Sequence, residues 1–441
     1  FLAATGPPVP FVTDEFSYRL QADTLESGRL TNPTHPHWEF FETIHVIPKP
    51  TYQSQYLPGA ALFLAAGKLA FGHHLYGVWL SAVLLFLALL WNLRQWFSPT
   101  WAWFATALAT VRFGVGSYWV DSYWGGAVPA LGGTLLLGSV AAAVTGRRVS
   151  WPQGLAFGAG AGLLLATRPW EGAALGVGCS AALCWALLRR RERLGRFLAG
   201  FAAPAVLLFL AAVIALGGYV AAVTGSPFSI PYQVNLELYG WPITLPWMNP
   251  VDHHPRQAQM RLYYQWEVSE HESVTTLSGF LLQTPYKLSV MWRFYFGPML
   301  SVLLWAIFRN RRSLRWPWLF LLCAAPAFLA VAMEQSWYPH YLSPAFAAVI
   351  GVWAMGLREL QRWRFPKVRD FAGTNRAVFA GWFLALVLPA HLLLLGLAGI
   401  NRAAERSFQP GLNALTWCCI NGGSLDRSKA EREILDRGRR D

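Results

Sequence analysis

Charge is what this sequence has least of. Only 13% of its 441 residues are Asp, Glu, Lys or Arg, about half the share of an ordinary soluble domain. A chain so poor in polar side chains cannot cover itself in water, which argues against the common soluble classes. Acids are scarcer than bases, 23 against 36. The resulting net charge of +13 would suit nucleic acid only if the bases gathered on one face of a folded domain. They stand instead in short runs between apolar stretches, so no nucleic-acid partner is expected. Cysteine is sparse too. Cys179, Cys184 and Cys323 lie in apolar segments and read as small hydrophobes, while Cys418 and Cys419 are adjacent, too close for an unstrained mutual disulfide. No signal peptide, internal repeat or low-complexity tract is in view.

What the chain does have is apolar length. Hydrophobic residues make up 54%, with 23 Trp and 28 Phe. Crossing the hydrocarbon core takes about 20 apolar residues, and the sequence predicts spans near 75–95, 99–115, 129–146, 152–168, 170–188, 197–222, 290–308, 316–333, 341–357 and 377–399. The start, Phe1-Leu-Ala-Ala-Thr, reads as the last turn of an earlier span. The expected class is therefore all-α and polytopic, with one membrane domain over 1–400 and a polar tail over 401–441.

Arginine sets the orientation. Arg94, Arg147-Arg148, the run from Arg189 to Arg196, Arg309 to Arg315 and Arg358 to Arg376 fall in alternate connections and hold 18 of the bases. Only Glu192, Glu359 and Asp370 accompany them, which leaves 20 of the 23 acids elsewhere. By the positive-inside rule the arginine loops face the cytoplasm. The outer side then collects residues 1–74, the loop around Asp121, the long loop 223–289 and the loop 334–340. Within the first of these, Phe16, Leu20 and Leu25 recur at helical spacing before Gly28, predicting an amphipathic helix in the interface. Tyr56-Leu-Pro-Gly opens a second short apolar helix that ends near Gly72.

Several outer residues can carry chemistry. Asp14 and Glu15 begin the first interfacial helix, where acids also serve plainly as helix-start residues. A carboxylate at the water–lipid boundary is equally where a general base belongs if one substrate is a lipid and the other is dissolved. Asp121 sits in an aromatic, Gly-containing loop, where it is either a solvated acid or a charge kept for function. Arg168 and Glu171 are spaced to pair with each other, or Arg168 holds a phosphate with its fork of donors. The stretch 35–56 is dense in binding side chains, among them His45, Tyr52 and Tyr56. His35, His37 and Glu39, with Glu42 and His45, could ligate a divalent cation. No Cys pair or helical His-Glu-x-x-His frame accompanies them, so substrate hydrogen bonding is preferred. His340 and Tyr341, after Glu334, are candidates of the same kind.

An Asp-Glu pair after a first span, an interfacial helix ending Leu-Glu-Ser-Gly, and Tyr56-Leu-Pro-Gly opening a second one resemble the polyprenyl-phosphate-dependent glycosyltransferases of the GT-C superfamily. Within it the pattern is most similar to the protein O-mannosyltransferase and aminoarabinose-transferase-like group, over about residues 10–360. The resemblance implies a helical bundle with interfacial helices on its extracytoplasmic side, in a bacterial inner or plasma membrane. It implies a sugar moved from a polyprenyl-phosphate donor to a lipid, glycan or protein acceptor, with inversion. Asp14 then matches the catalytic acid, Glu15 its acidic neighbour and Asp121 the second-loop acid. Arg168-Pro169 is similar to an Arg-Pro step, and the segment from Tyr338 to Tyr341 to one that encloses the donor phosphate. The histidine-rich stretch 35–45 has no counterpart in those motifs. The rival readings are a flippase for a lipid-linked sugar and an O-antigen-ligase-like transferase. A flippase would favour inverted repeats and midplane charges, and a ligase-like enzyme more outer arginine. Neither pattern is present.

Overall fold

The structure, a computed structural model, describes residues 12–114, 117–145, 149–190, 194–309, 317–362 and 375–403, with Pro7, Pro8 and Pro10. The basic runs at 147–148, 191–193, 310–315 and 363–369, and the tail beyond 403, lie outside the described residues.

In chain order, helix α1 (Thr13–Glu26) leads into a small antiparallel sheet of β1 (Asn32–Pro33), β2 (Val46–Ile47) and β3 (Thr51–Ser54), ordered β1-β3-β2. Then come α2 (Gly59–Phe71), α3 (His74–Trp96), α4 (Pro99–Gly114), α5 (Ala127–Thr145), α6 (Trp151–Leu165), α7 (Pro169–Arg190) and α8 (Leu198–Thr224). The second half has α9 (Pro231–Tyr239), α10 (Ala258–Glu272), α11 (Leu277–Tyr295), α12 (Gly297–Arg309), α13 (Pro317–Ala332), α14 (Phe346–Arg362, entered by a 3₁₀ turn over Pro339–Ala345) and α15 (Asn375–Ala403). Helices α3, α5, α7, α8 and the stretch Pro339–Arg362 are long and apolar enough to cross a membrane. The protein is an all-α polytopic integral membrane protein.

Three expectations change on contact with the structure. The span predicted over 290–308 is not one helix: α11 and α12 meet at 95°. Gly297 takes a φ of 60°, a left-handed value open to glycine, and Pro298 suits the first turn of a new helix. The "long loop" 223–289 contains α9, α10 and most of α11. Helix α1 is also turned the other way round from its apolar spacing. Its buried residues are Glu15, Ser17, Gln21, Ala22 and Thr24, while Phe16 is 39% exposed. A helix at a membrane interface can present its apolar side chains to lipid and keep its polar face for protein. Here that face is fully used: Ser17 Oγ donates to the His45 carbonyl at 2.6 Å, and Gln21 Nε2 donates to the Tyr56 carbonyl at 2.8 Å and to Tyr219 Oη at 2.6 Å.

Small residues seat α2 on α3. A side chain at Gly67 would collide with the Gly77 backbone, and one at Gly77 with the Phe63 carbonyl, so the two backbones touch as small-residue crossings allow. The Gly59 amide donates to the Ala166 carbonyl at 2.8 Å, which pins the start of α2 to the turn carrying Arg168. The loop 117–126 is sealed by the aromatic core. Trp119 is buried among Phe113, Phe294 and Phe346, and any side chain on Gly126 would meet its indole at 2.6 Å. Hydrogen bonds tie this loop to the neighbouring connections: Tyr123 N to Glu15, Trp79 Nε1 to the Val120 carbonyl, and Tyr118 Oη with His340 Nδ1. The connections bearing Asp14, Asp121, Arg168 and His340 thus gather at one end of the bundle. Arg358 and Arg362 belong to the other, where both pair with the buried Glu359 at 3.0 and 3.2 Å.

Candidate active site

Asp14 lies in the first turn of α1, part-buried at a site lined by tyrosines. Tyr56 Oη donates to its Oδ1, and His45 Nε2 stands 3.5 Å from its Oδ2. Burial and the Asp14 charge push the Tyr56 phenol well above its ordinary pKa, so Tyr56 stays a donor. Tyr18, one helical turn beyond Asp14, stacks on Tyr56 with ring centres 4.4 Å apart. Burial pushes its phenol well above its ordinary pKa, and the charges of Arg168, Asp14 and Glu171 also act on it.

His45 is held in an unusual backbone state. Its φ of 65° is the positive value among the described non-glycine residues, a conformation that costs about 1–3 kcal/mol and persists only where the surroundings enforce it. The enforcement comes from the hairpin. Val46 pairs with Ser54 and Ile47 with Gln53, so His45 and Gln55 face each other at its open end. Gln55 N donates to the His45 carbonyl at 3.0 Å, and the Gln55 amide meets His45 Nδ1 at 2.8 Å. Burial holds the imidazole below its ordinary pKa, against the pull of Asp14 and Gln55.

The far side of His45 faces α10. Tyr263 Oη lies 3.5 Å from His45 Nε2 and donates to Glu267 Oε1 at 3.0 Å. Glu267 also accepts from Ile243 N at 3.2 Å and Gln335 Nε2 at 3.4 Å. Burial, with a contribution from Asp14, pushes its carboxyl up to about 7.

Arg168 forms a second cluster. Its Nη1 contacts Glu171 Oε1 at 3.2 Å and its guanidinium lies 4.1 Å over the Tyr341 ring. Glu334 bonds to Glu171, and burial together with that neighbour raises its carboxyl well above the usual range. One guanidinium thus stands near two buried carboxyl groups, with Glu171 in contact. Of the two sequence readings of Arg168, the contacts present are those of the pairing with Glu171.

The remaining candidates fall apart in instructive ways. Glu15 is 1% exposed, and its two oxygens accept from Tyr123 N at 2.9 Å and Val12 N at 3.1 Å, so it joins α1 to the 117–126 loop. Asp121 is 6% exposed rather than solvated, and its charge is felt at Tyr123. His340 bonds to Tyr118 and packs edge-on against Tyr341 at 4.9 Å. Tyr52 stands on β3 near the Glu42–Tyr239 pair, outside the group around Asp14. The histidine-rich stretch is spread out. His35 and His37 are exposed, with His35 Nδ1 accepting from His37 N, and Glu39 pairs with Arg256 at 3.9 Å. The group with ligand-like spacing among the described residues is Asp23, Glu26 and His74. The Lys68 ammonium already bridges its two carboxylates at 2.8 and 2.6 Å. Sequence reasoning missed Tyr18, Tyr263, Glu267 and a site role for Glu334. The first two signals were readable, since Tyr18 is four residues after Asp14 and Glu267 four after Tyr263.

No family model and no curated protein matches this chain. Solved structures resemble it. One is ArnT from Cupriavidus metallidurans bound to undecaprenyl phosphate, at 15% identity and TM-score 0.45, covering 92% of this chain and 70% of that one. Another is the apo oligosaccharyltransferase from Archaeoglobus fulgidus, at 13% identity and TM-score 0.47, covering 93% of this chain and 54% of that one. The archaeal oligosaccharyltransferase AglB, from the same organism and in complex with an inhibitory peptide and a dolichol-phosphate, aligns at 14% identity and TM-score 0.43, over 88% of this chain and 52% of that one.

Proposed function

We propose that this protein is a membrane glycosyltransferase that moves a sugar from a polyprenyl-phosphate donor onto an acceptor hydroxyl at the extracytoplasmic face of a bacterial inner membrane. The observation that carries this reading is that Tyr56, the donor to Asp14, lies three residues before Gly59, whose amide bonds to the Ala166 carbonyl two residues before Arg168, at the end of the bundle away from Arg358 and Arg362. A carboxylate and a guanidinium at a membrane interface answer the two needs of such a transfer: a base for the acceptor and a counter-charge for a leaving phosphate.

In this reading Asp14 takes the acceptor's proton as its oxygen attacks the anomeric carbon. The bond to the phosphate oxygen breaks on the opposite face, inverting the centre. Tyr56 orients the Asp14 carboxylate. Arg168, against Tyr341 and beside His340, stabilises the departing lipid phosphate in a water-poor site, where a preset charge is most effective. Tyr18 and Tyr263 line the site on either side of Tyr56 and His45, and Tyr232 packs edge-on against Tyr56 with ring centres 5.7 Å apart. Asp121 and Glu15 hold the loop wall in place.

The test is incubation of the purified protein with undecaprenyl-phosphate sugars of varied headgroup and radiolabelled carrier. Acceptor-dependent release of undecaprenyl phosphate is expected, and Asp14→Asn should lower it by about 10²- to 10⁴-fold. Movement of intact lipid-linked sugar across proteoliposomes without release would make the protein a flippase instead.

A further inference from the structure

With acceptor and donor in place, a neighbour to which Asp14 can pass the proton it would acquire is His45. Two side chains connect Asp14 to a buried acid. His45 Nε2 stands 3.5 Å from both Asp14 Oδ2 and Tyr263 Oη, and Tyr263 Oη reaches Glu267 Oε1 at 3.0 Å. We propose that His45, Tyr263 and Glu267 form a proton relay that drains Asp14, with Glu267 as the terminal acceptor. This rests on the transferase reading for its purpose, although the relay can be detected without any substrate.

Transfer through Nε2 requires one tautomer of the ring. A neutral imidazole can take a proton at Nε2 only if its own proton is on Nδ1. Gln55 makes that possible: its Oε1 has no other partner, and a half-turn of the amide brings it to accept from Nδ1–H. Nε2 is then bare and faces the donor and the receiver alike. At 3.5 Å both contacts are loose, as catalytic hydrogen bonds often are before substrate tightens them. His45 is 4% exposed and held in its left-handed state by Ser17 and Gln55.

The proton balance closes. The acceptor O–H bond breaks and its proton passes to Asp14 Oδ2. The acceptor oxygen bonds to the sugar as the phosphate leaves with the electron pair of its bond. Asp14 then gives the proton to His45 Nε2, which passes it to Tyr263 Oη while the Tyr263 proton moves to the Glu267 carboxylate. Asp14 and His45 end as they began and Glu267 ends protonated; once the products leave, the reverse passage to Asp14, whose side chain is 26% exposed, returns that proton to water. The direction is set by environment: burial makes His45 a poor proton holder and Glu267 a good one near neutral pH. The groups facing Glu267 are Tyr263 on its own helix, Asp14 on α1, Tyr338 ahead of α14, and the uncharged Gln335 and Ile243 amide. The groups facing His45 are Asp14, Tyr56, Tyr263 and Gln55.

Histidine-selective ¹⁵N NMR of the full chain in nanodiscs tests the relay, with the His45 signals assigned by their loss in His45→Gln. Wild type should show an Nδ1-protonated ring whose shifts step near pH 7 together with the infrared band of a buried carboxyl. Glu267→Gln should abolish both the step and the band, whereas Tyr263→Phe should keep the band and lose the step. Should Glu267→Gln fail to fold, Tyr263→Phe alone decides through the same pair of signals. An Nε2-protonated ring, or a ring whose shifts do not follow Glu267, overturns the proposal. Coupling without sugar transfer would leave the relay standing and remove the transferase reading, and transfer without coupling would do the reverse.

Discussion

The two charged clusters at this end of the bundle are built on opposite plans. Around Asp14 there is one carboxylate held by a tyrosine and a histidine, with no lysine or arginine paired to it among the described residues. Around Arg168 the guanidinium is locked between Glu171 and the Tyr341 ring, and Glu334 backs the pair. The first arrangement leaves a base free to act. The second fixes a positive charge in place and gives it neutralising company until an anion arrives. The difference teaches that stability and reactivity were assigned to separate side chains, although both clusters lie at one end of the bundle.

The comparison breaks most visibly at Arg168. Arg168→Met strands a buried carboxylate and should lower stability by about 3–5 kcal/mol, read as thermal unfolding in micelles. Asp14→Asn should change it by under about 1 kcal/mol, because an amide still accepts from Tyr56, a loss no larger than one ordinary hydrogen bond. Equal losses would erase the distinction.

Proton linkage sharpens it. The Glu267 carboxyl is raised from an ordinary 4.5 to about 7 in the folded chain, so between those values the native state holds a proton that the unfolded state has lost. Stability from this group is therefore full below about 4.5 and declines as pH rises toward 7, at roughly 1.4 kcal/mol per pH unit. Glu267→Gln should flatten that part of an unfolding-versus-pH curve.

Smaller effects follow. Tyr56→Phe removes a donor from a charged acceptor, a loss of about 1.5–3 kcal/mol. In the transferase assay it should also lower kcat more than KM, since it misorients the base. Lys68→Met, at the exposed Asp23–Glu26 bridge, should cost under about 1 kcal/mol. Asp23 is held near 2, chiefly by His74 and despite some burial. What that pairing contributes is present above the ordinary 3.8 and lost as pH falls toward 2. A marked destabilisation by Lys68→Met at neutral pH would show that this bridge, too, belongs to the buried class.

Helices and their order were legible because apolar length is a one-dimensional signal. The predicted spans 75–95, 170–188 and 377–399 coincide with α3, α7 and α15 to within a few residues. The α11–α12 bend was hidden because a Gly-Pro step within an apolar run gives no measure of angle. Asp14 and Arg168 were legible as lone charges in apolar surroundings. His45 was legible only as one member of a histidine-rich stretch, since its role depends on a ten-residue hairpin that brings Gln55 opposite it. Glu267 was hidden for a plainer reason. It sits in a polar, helical stretch that looks solvated, and its burial comes from contacts with residues far away in sequence, Ile243 and Gln335 among them.

Side-specific labelling of single cysteines, in a chain whose own cysteines are replaced by serine, tests the shared site most directly. Thr13→Cys, Thr167→Cys and Ser336→Cys in intact cells should all react with a membrane-impermeant maleimide, and Arg362→Cys only after the membrane is opened. If position 13 and position 167 label from opposite sides, Asp14 and Arg168 cannot serve one reaction.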